Sequence, residues 1–351
     1  MKNNKNNLEA LGPIGELYVP EAHLNRVVVI DTTTSTITRH IPLDDIPILP
    51  LGSRPSVLIA TPDGSKIYSD NFGLIPPTVS VINRVENTVR SILVSHVPLG
   101  IFISNDGEEI YVSEGNYTVE VINTQTDEIV RSLTFHDVPV ACMSGPGDHL
   151  YIGFGTGYLG VYDKLTGEVI KEPIYVGGTL PAWFTFTQDN KKLYVDAVNA
   201  IGVIDVDQWK LLKTIPTSGE LSHKTDDPWA FTSILSPDGK KLYVSLLGDS
   251  GILVLDVDTD QISKTIETAG SATGITFSGD GKRGYISDMG ASLSFLKTPI
   301  GGAILGTAWV GFGITGNGQI ITFDPSTDEI IGTPLTVGPT PGIPVWVPSI
   351  Q

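Results

Sequence analysis

A tyrosine recurs at the head of one short apolar run after another. The seven are Tyr18, Tyr68, Tyr111, Tyr151, Tyr194, Tyr243 and Tyr285, separated by 50, 43, 40, 43, 49 and 42 residues. A period of this length marks a repeat architecture and constrains the fold more tightly than any local propensity. After each tyrosine an alternating run ends in Asp or Asn, at Asp31, Asn83, Asn123, Asp163, Asp205, Asp256 and Asp324. A polar turn (TTTST, TQTDE, KLTGE, DVDTD or PSTDE) then leads to another strand such as EIVRSLTF. A proline usually follows, and a fourth run closes in a tight turn such as TPDGSK, SNDGEE, SPDGKK or SGDGKR. Each unit therefore reads as four short strands joined by turn residues. The 38 glycines and 24 prolines, with only 17% charged residues, favour many short strands over long helices.

Units of 40 to 50 residues cannot bury both sheet faces alone. Set radially around an axis, every sheet lies between two neighbours and only short edges remain. The expected fold is all-β: a seven-bladed β-propeller of four-stranded antiparallel blades. A linear solenoid would expose two apolar end faces, and the chain ends argue against it. The chain enters at a second strand (ELYV), while PGIPVWVPSI after Pro341 copies a first strand. The C-terminal strand is thus expected to complete blade one and close the ring. Residues 1–14 read as a polar N-terminal tail and 15–351 as one propeller domain, with an apolar insertion at about 289–316 in blade seven.

The units IYVSEGNYTVEVINTQTDEIVRSL and KLYVSLLGDSGILVLDVDTDQISKTI, each preceded by a DG turn, resemble the YVTN family of seven-bladed propeller repeats. The resemblance runs from about residue 15 to 350 and implies the propeller fold. That family includes surface-layer modules, cofactor-biosynthesis subunits and proteins of no assigned role, so it implies no single activity. The eponymous tetrapeptide reads YVPE, YSDN, YVSE, YIGF, YVDA, YVSL and YISD here, and no family site transfers residue by residue.

Composition removes several function classes. A formal charge of −17 and the lack of a basic stripe argue against a nucleic-acid partner. The single cysteine, Cys142, excludes an intrachain disulfide framework and a cysteine-built zinc site. No run of about 18 apolar residues is present, so no membrane span is expected. The segment MKNNKNNLEALGPIGELYV lacks the apolar core and cleavage site of a secretory signal, and the expected compartment is the cytoplasm unless a signal has been removed. GTGYLG at 155–160 precedes an alternating strand instead of opening a helix, so it fails the context of a nucleotide loop.

In a propeller the turns joining first to second and third to fourth strands share one face, and here they are short and uniform. The other face carries the irregular loops, where function usually sits on a rigid scaffold. Four of the six histidines fall there: His23, His96, His136 and His223. His96, His136 and His223 each precede, by two to five residues, a proline that opens an innermost strand (Pro98, Pro139 and Pro228). If they converge on the axis, three imidazoles with a carboxylate would suit a divalent metal ion. Glu21 and Glu114 hold matching places in YVPE and YVSE and are candidate catalytic or ligating carboxylates, alongside Asp70, Asp137, Asp196 and Asp288. The competing reading makes the histidines rim residues that bond loop backbone. Trp183 and Trp229 follow their prolines near the same mouth and suit stacking on a ligand, or packing between blades.

From Tyr285 to Asp324 takes 39 residues, where the other blades need 11 to 15. The excess, in MGASLSFLKTPIGGAILGTAWVGFGITGNG, reads as a lid or binding loop. IPILPLGS and NFGLIPP extend the apolar rim on blades one and two. The expected function is an enzyme or binder acting on a largely apolar small molecule at the channel mouth, by metal-assisted or His/Glu-based lyase, cyclase or hydrolase chemistry. Few cations lie in the interblade loops, chiefly Arg54 and Lys224, so a phosphorylated sugar fits poorly. The alternative is a non-catalytic scaffold whose loop face binds a protein or a second copy of itself.

Overall fold

The computed structural model describes residues 15–43, 52–73, 76–198, 200–217, 228–291 and 316–350. Seven antiparallel sheets form a ring, each running from an innermost strand at the axis to an outermost strand at the rim. The innermost strands of blades two to seven are Pro55–Ala60, Pro98–Ile103, Pro139–Gly145, Thr179–Phe186, Trp229–Leu235 and Ala272–Phe277. Blade one takes its innermost strand, Val345–Pro348, from the C-terminal end of the chain. It pairs with Gly15–Glu21, with Leu17 opposite Trp346 and Tyr18 opposite Val345. The ring therefore closes as the chain ends imply. Gly15 lets the two strands meet: a Cβ there would lie 2.2 Å from the Trp346 ring.

The alternation of the second and third strands places apolar side chains on both sheet faces, and each seam between blades holds its own apolar cluster. Outermost strands such as Glu128–Thr134 face water on most of their length. Blade seven departs from the pattern. Its rim strand is broken into Glu329–Ile330 and Leu335–Pro339, because Pro334 has no N–H to continue the ladder and Gly332 sits at φ +69°. No helix among the described residues is long and apolar enough to cross a membrane.

The repeated tyrosines are buried in the seams, and three of them show why they recur. Lys66 and Tyr68 of blade two both reach Asp127 in the third-to-fourth turn of blade three, at 2.8 and 2.5 Å. Lys192 and Tyr194 do the same to Asp260 (2.7 and 2.5 Å), and Lys241 and Tyr243 to Asp328 (2.8 and 2.6 Å). The three aspartates have φ of 55°, 52° and 60°, a left-handed conformation that Asp tolerates better than most residues. The other four seams put a different residue in the aspartate's place. Asn87 stands there between blades one and two, where Arg84 bonds Tyr18 and Glu16 instead. Gly167 stands there between blades three and four, where Tyr111 turns to Glu109. Trp209, edge-on to Tyr151, fills the place between blades four and five. Ser35 takes it between blades seven and one.

Candidate functional site

Blades two to seven share a feature at the irregular-loop end of the innermost strand. The register with the second strand slips there, as between Pro55 and Leu58 or between Pro98 and Gly100. In blades two to six a proline at or beside the slip cannot donate to the ladder, and the bulge it favours frees a backbone amide and re-aims side chains toward the axis; blade seven slips at Ala272 without one. The residue two after the repeat tyrosine faces this bulge. In blade six Ser245 Oγ accepts the Thr232 amide at 3.1 Å. In blade two Asp70 accepts the Val57 amide at 2.7 Å and the Ser56 hydroxyl at 2.9 Å, both on Oδ1. Its Oδ2 is buried with no partner, and burial pushes the Asp70 carboxyl up to about 7.

Above these bulges, at the mouth of the central channel, lies a cavity of about 70 Å³ lined by Ser56, Val57, Phe72, Trp229, Phe231, Leu247, Thr273, Gly342 and Ile343. Its wall is apolar apart from two hydroxyls, and the Ser56 hydroxyl is the one backed by Asp70. Trp229 is 8% exposed and packs with Val198, Leu247 and Met289 around the mouth. Trp183 is half-buried and reaches from blade five to Phe102 of blade three at a ring separation of 5.1 Å.

Asp196 holds the same repeat position in blade five as Asp70 in blade two. It is fully buried, neither oxygen has a partner, and the neighbouring Ser233 hydroxyl is engaged by Thr185 at 2.8 Å. Burial pushes its carboxyl up to about 7. A carboxyl whose folded pKa lies above its unfolded value of about 3.9 binds an extra proton in the folded state between the two, so stability falls as pH rises across that window. The penalty is absent below about pH 4 and complete above about 7. Asp196→Ser, the residue of blades three, six and seven, is expected to raise the melting temperature at pH 8 and change it little at pH 4. Thermal unfolding at both pH values checks this; an equal shift at both would remove the titration argument.

Glu21, Glu114 and Asp288, one residue further along the second strand, are fully buried and point to the opposite side. Glu114 and Asp288 receive backbone from the crossover loop arriving from the preceding blade, and Glu21 receives it from that blade's rim strand. Glu21 accepts the Gly338 amide (2.5 Å) and pairs with Arg26. Glu114 accepts the amides of Ser95 (3.0 Å) and His96 (3.2 Å). Asp288 accepts those of Ala269 and Gly290 and the Gln319 side chain. The Glu114 carboxyl is pushed up to about 7 by burial, with the charge of Glu120 adding to the rise. These carboxylates tie loops to blades, and neither Glu21 nor Glu114 lines the axial cavity.

His23, His96 and His136 are exposed. The His23 ring lies 2.9 Å from Arg54, and the His96 ring 2.7 Å from Asn116. Asp137, beside His136, accepts the Val138 amide of its own loop and the Thr156 hydroxyl of the next loop in blade four. Among the described residues no three His, Cys, Asp or Glu side chains stand close enough to share a metal ion. The convergence expected of His96 and His136 on the axis is thus absent from this region: Glu114 pins the His96 backbone one strand out from the channel. His223 and most of the 289–316 insertion lie outside the described residues. Sequence reasoning missed Ser56, Phe231 and Ile343 as wall residues. The signal for Ser56 was its place just after a strand-opening proline.

No family model matches the chain. It is 24% identical over 290 residues to Antigen Lp49 of Leptospira interrogans serogroup Icterohaemorrhagiae serovar copenhageni (strain Fiocruz L1-130), a match covering 78% of this chain and 52% of that protein. The chain thus spans about half the length of the curated relative it matches. The periplasmic gluconolactonase PpgL of Pseudomonas aeruginosa superposes with a TM-score of 0.67 at 16% identity, over 95% of this chain and 99% of that one. The dihydro-heme d1 dehydrogenase NirN, in complex with DHE, superposes with a TM-score of 0.61 at 14% identity, over 95% and 75% of the two chains. At these identities the likeness is one of fold.

Proposed function

We propose that the chain takes a largely apolar small molecule into the axial cavity and acts on it there as a hydrolase, with Asp70 as the proton-handling group. The observation that carries this reading is a buried carboxyl held near neutrality, with one oxygen free, behind the Ser56 hydroxyl of an apolar pocket. A group with a pKa near the working pH both takes and returns a proton efficiently. Ser56 Oγ takes the proton of a water or ligand hydroxyl brought against it as its own proton passes to Asp70 Oδ1, and the apolar wall of Trp229, Phe231 and Ile343 orients the ligand. The gluconolactonase and dehydrogenase named above support enzymatic use of this fold.

The test uses γ-decalactone, whose ring opening is followed in a pH-stat: water adds at the acyl carbon, the acyl C–O bond breaks, and the hydroxy acid formed releases a proton. The protein is expected to accelerate this reaction, and Asp70→Asn to lower kcat by about 10²-fold or more, the usual worth of a general base. Trp229→Ala is expected to raise KM. No turnover, together with no quenching of tryptophan fluorescence by the lactone, would overturn the reading. It would favour a scaffold binding a protein or a second copy, for which blade four offers an apolar edge at Tyr158, Val169 and Tyr175.

A further inference from the structure

The seam that closes the ring, between blades seven and one, is built differently from the latched seams. Arg283 stands two residues before Tyr285, where the latched blades carry Lys66, Lys192 and Lys241. The turn residue facing it is Ser35, with φ of 53° like the latch aspartates, but with no carboxylate to offer. Among the described residues the Arg283 guanidinium makes no ion pair and no side-chain hydrogen bond. The charges that interact with it or its tyrosine, on Asp324 and Asp280, act only at longer range. The broken rim strand of blade seven leaves the seam open, and a cavity of about 210 Å³ results, three times the axial one.

Its lining divides cleanly. Arg283 and the hydroxyl-bearing Ser35, Thr322 and Thr333 contribute polar groups, while Leu17, Ile30, Ile320, Ile331 and Leu335 give an apolar floor. A half-buried guanidinium with no carboxylate in direct contact is an anion site, and its forked donors match a carboxylate. We infer that this seam is a second binding site, for a small monocarboxylate with an apolar chain. The carboxylate takes the place that Asp127, Asp260 and Asp328 fill in the latched seams, and the chain covers the aliphatic floor. A ligand seated here touches both blades joined at ring closure, so it holds the closed ring and raises the melting temperature by mass action.

Octanoate is the probe, titrated calorimetrically into the full chain, with 1-octanol as its uncharged counterpart. Octanoate is expected to bind saturably and at least about tenfold more tightly than 1-octanol, a difference of about 1.4 kcal/mol. Arg283→Gln is expected to remove that preference while leaving 1-octanol binding unchanged, and Arg283→Lys to keep part of it. Ser35→Asp supplies the missing carboxylate from within the chain. It is expected to abolish octanoate binding and to raise the melting temperature of the unliganded protein, so a loss of binding through misfolding is distinguished. Equal affinity for the acid and the alcohol, octanoate affinity within twofold of wild type in Arg283→Gln, or no saturable binding would each overturn the inference.

Discussion

Removal of residues 341–351 is expected to abolish cooperative folding. The C-terminal segment is clamped from three sides: Val345–Pro348 completes blade one, the Gly342 amide bonds Pro20 at 2.9 Å, and Ile343 exchanges hydrogen bonds with Ser56 and Leu58 of blade two. Arg84 of blade two also donates to the Pro348 carbonyl at 2.8 Å. Truncation leaves Gly15–Glu21 with a bare inner edge and uncovers the seam clusters on both sides of blade one. Burial of Ile343 and Val347 accounts for about 1.5–3 kcal/mol each, and the half-buried Trp346 adds to it. Their sum is comparable with the roughly 5–15 kcal/mol that separates a folded domain from its unfolded chain. The truncated chain should show no sharp thermal transition, and a synthetic peptide of residues 341–351 added in excess should restore one. A truncated chain that melts near the wild-type temperature would mean that the ring does not depend on this strand.

The ring was legible in the sequence because its determinants are local and repeated. Each tyrosine, each Asp or Asn at the end of a third strand, and each DG turn reports on its own neighbourhood, and seven copies average out the irregular ones. Closure was legible because PVWVP duplicates a first strand, while the run at Tyr18 reads as a second strand. The site was less so, since distance from the axis is set by contacts between blades. His96 lies only two residues before Pro98, yet its backbone is held by Glu114 on the second strand, and neighbouring strands stand about 4.8 Å apart. A short sequence distance to an innermost strand therefore does not bring a side chain to the channel. Asp70 was visible as a candidate, but its contrast with Asp196, one oxygen anchored against none, comes from the local course of two bulges that share the same repeat position.

The three latches make a second large effect specific. Asp127 receives the Lys66 ammonium and the Tyr68 hydroxyl together in a seam where its side chain is only 12% exposed. Burial and the adjacent Asp127 charge push the Tyr68 hydroxyl well above its ordinary pKa, so it remains a donor throughout the working range. Asp127→Ala takes the carboxylate from an ammonium and a hydroxyl in that seam at once and leaves them only the Thr124 carbonyl as acceptor. Breaking a buried ion pair by removing one partner costs about 3–5 kcal/mol, and the 15% exposure of Lys66 places this pair toward the lower end. Asp260→Ala and Asp328→Ala should cost similar amounts, because their geometry differs by only 0.1 Å in either contact. Residues in separate seams share no partners, so the losses from Asp127→Ala and Asp260→Ala should add. Tyr68→Phe is the milder control: it removes one donor and leaves the Lys66–Asp127 pair, for about 1–2 kcal/mol. Urea denaturation of the single and double variants measures all of these on one scale. Losses below about 1 kcal/mol in the alanine variants would class the latches with exposed surface pairs and would leave the recurrence of Lys-x-Tyr in three blades without a structural cause.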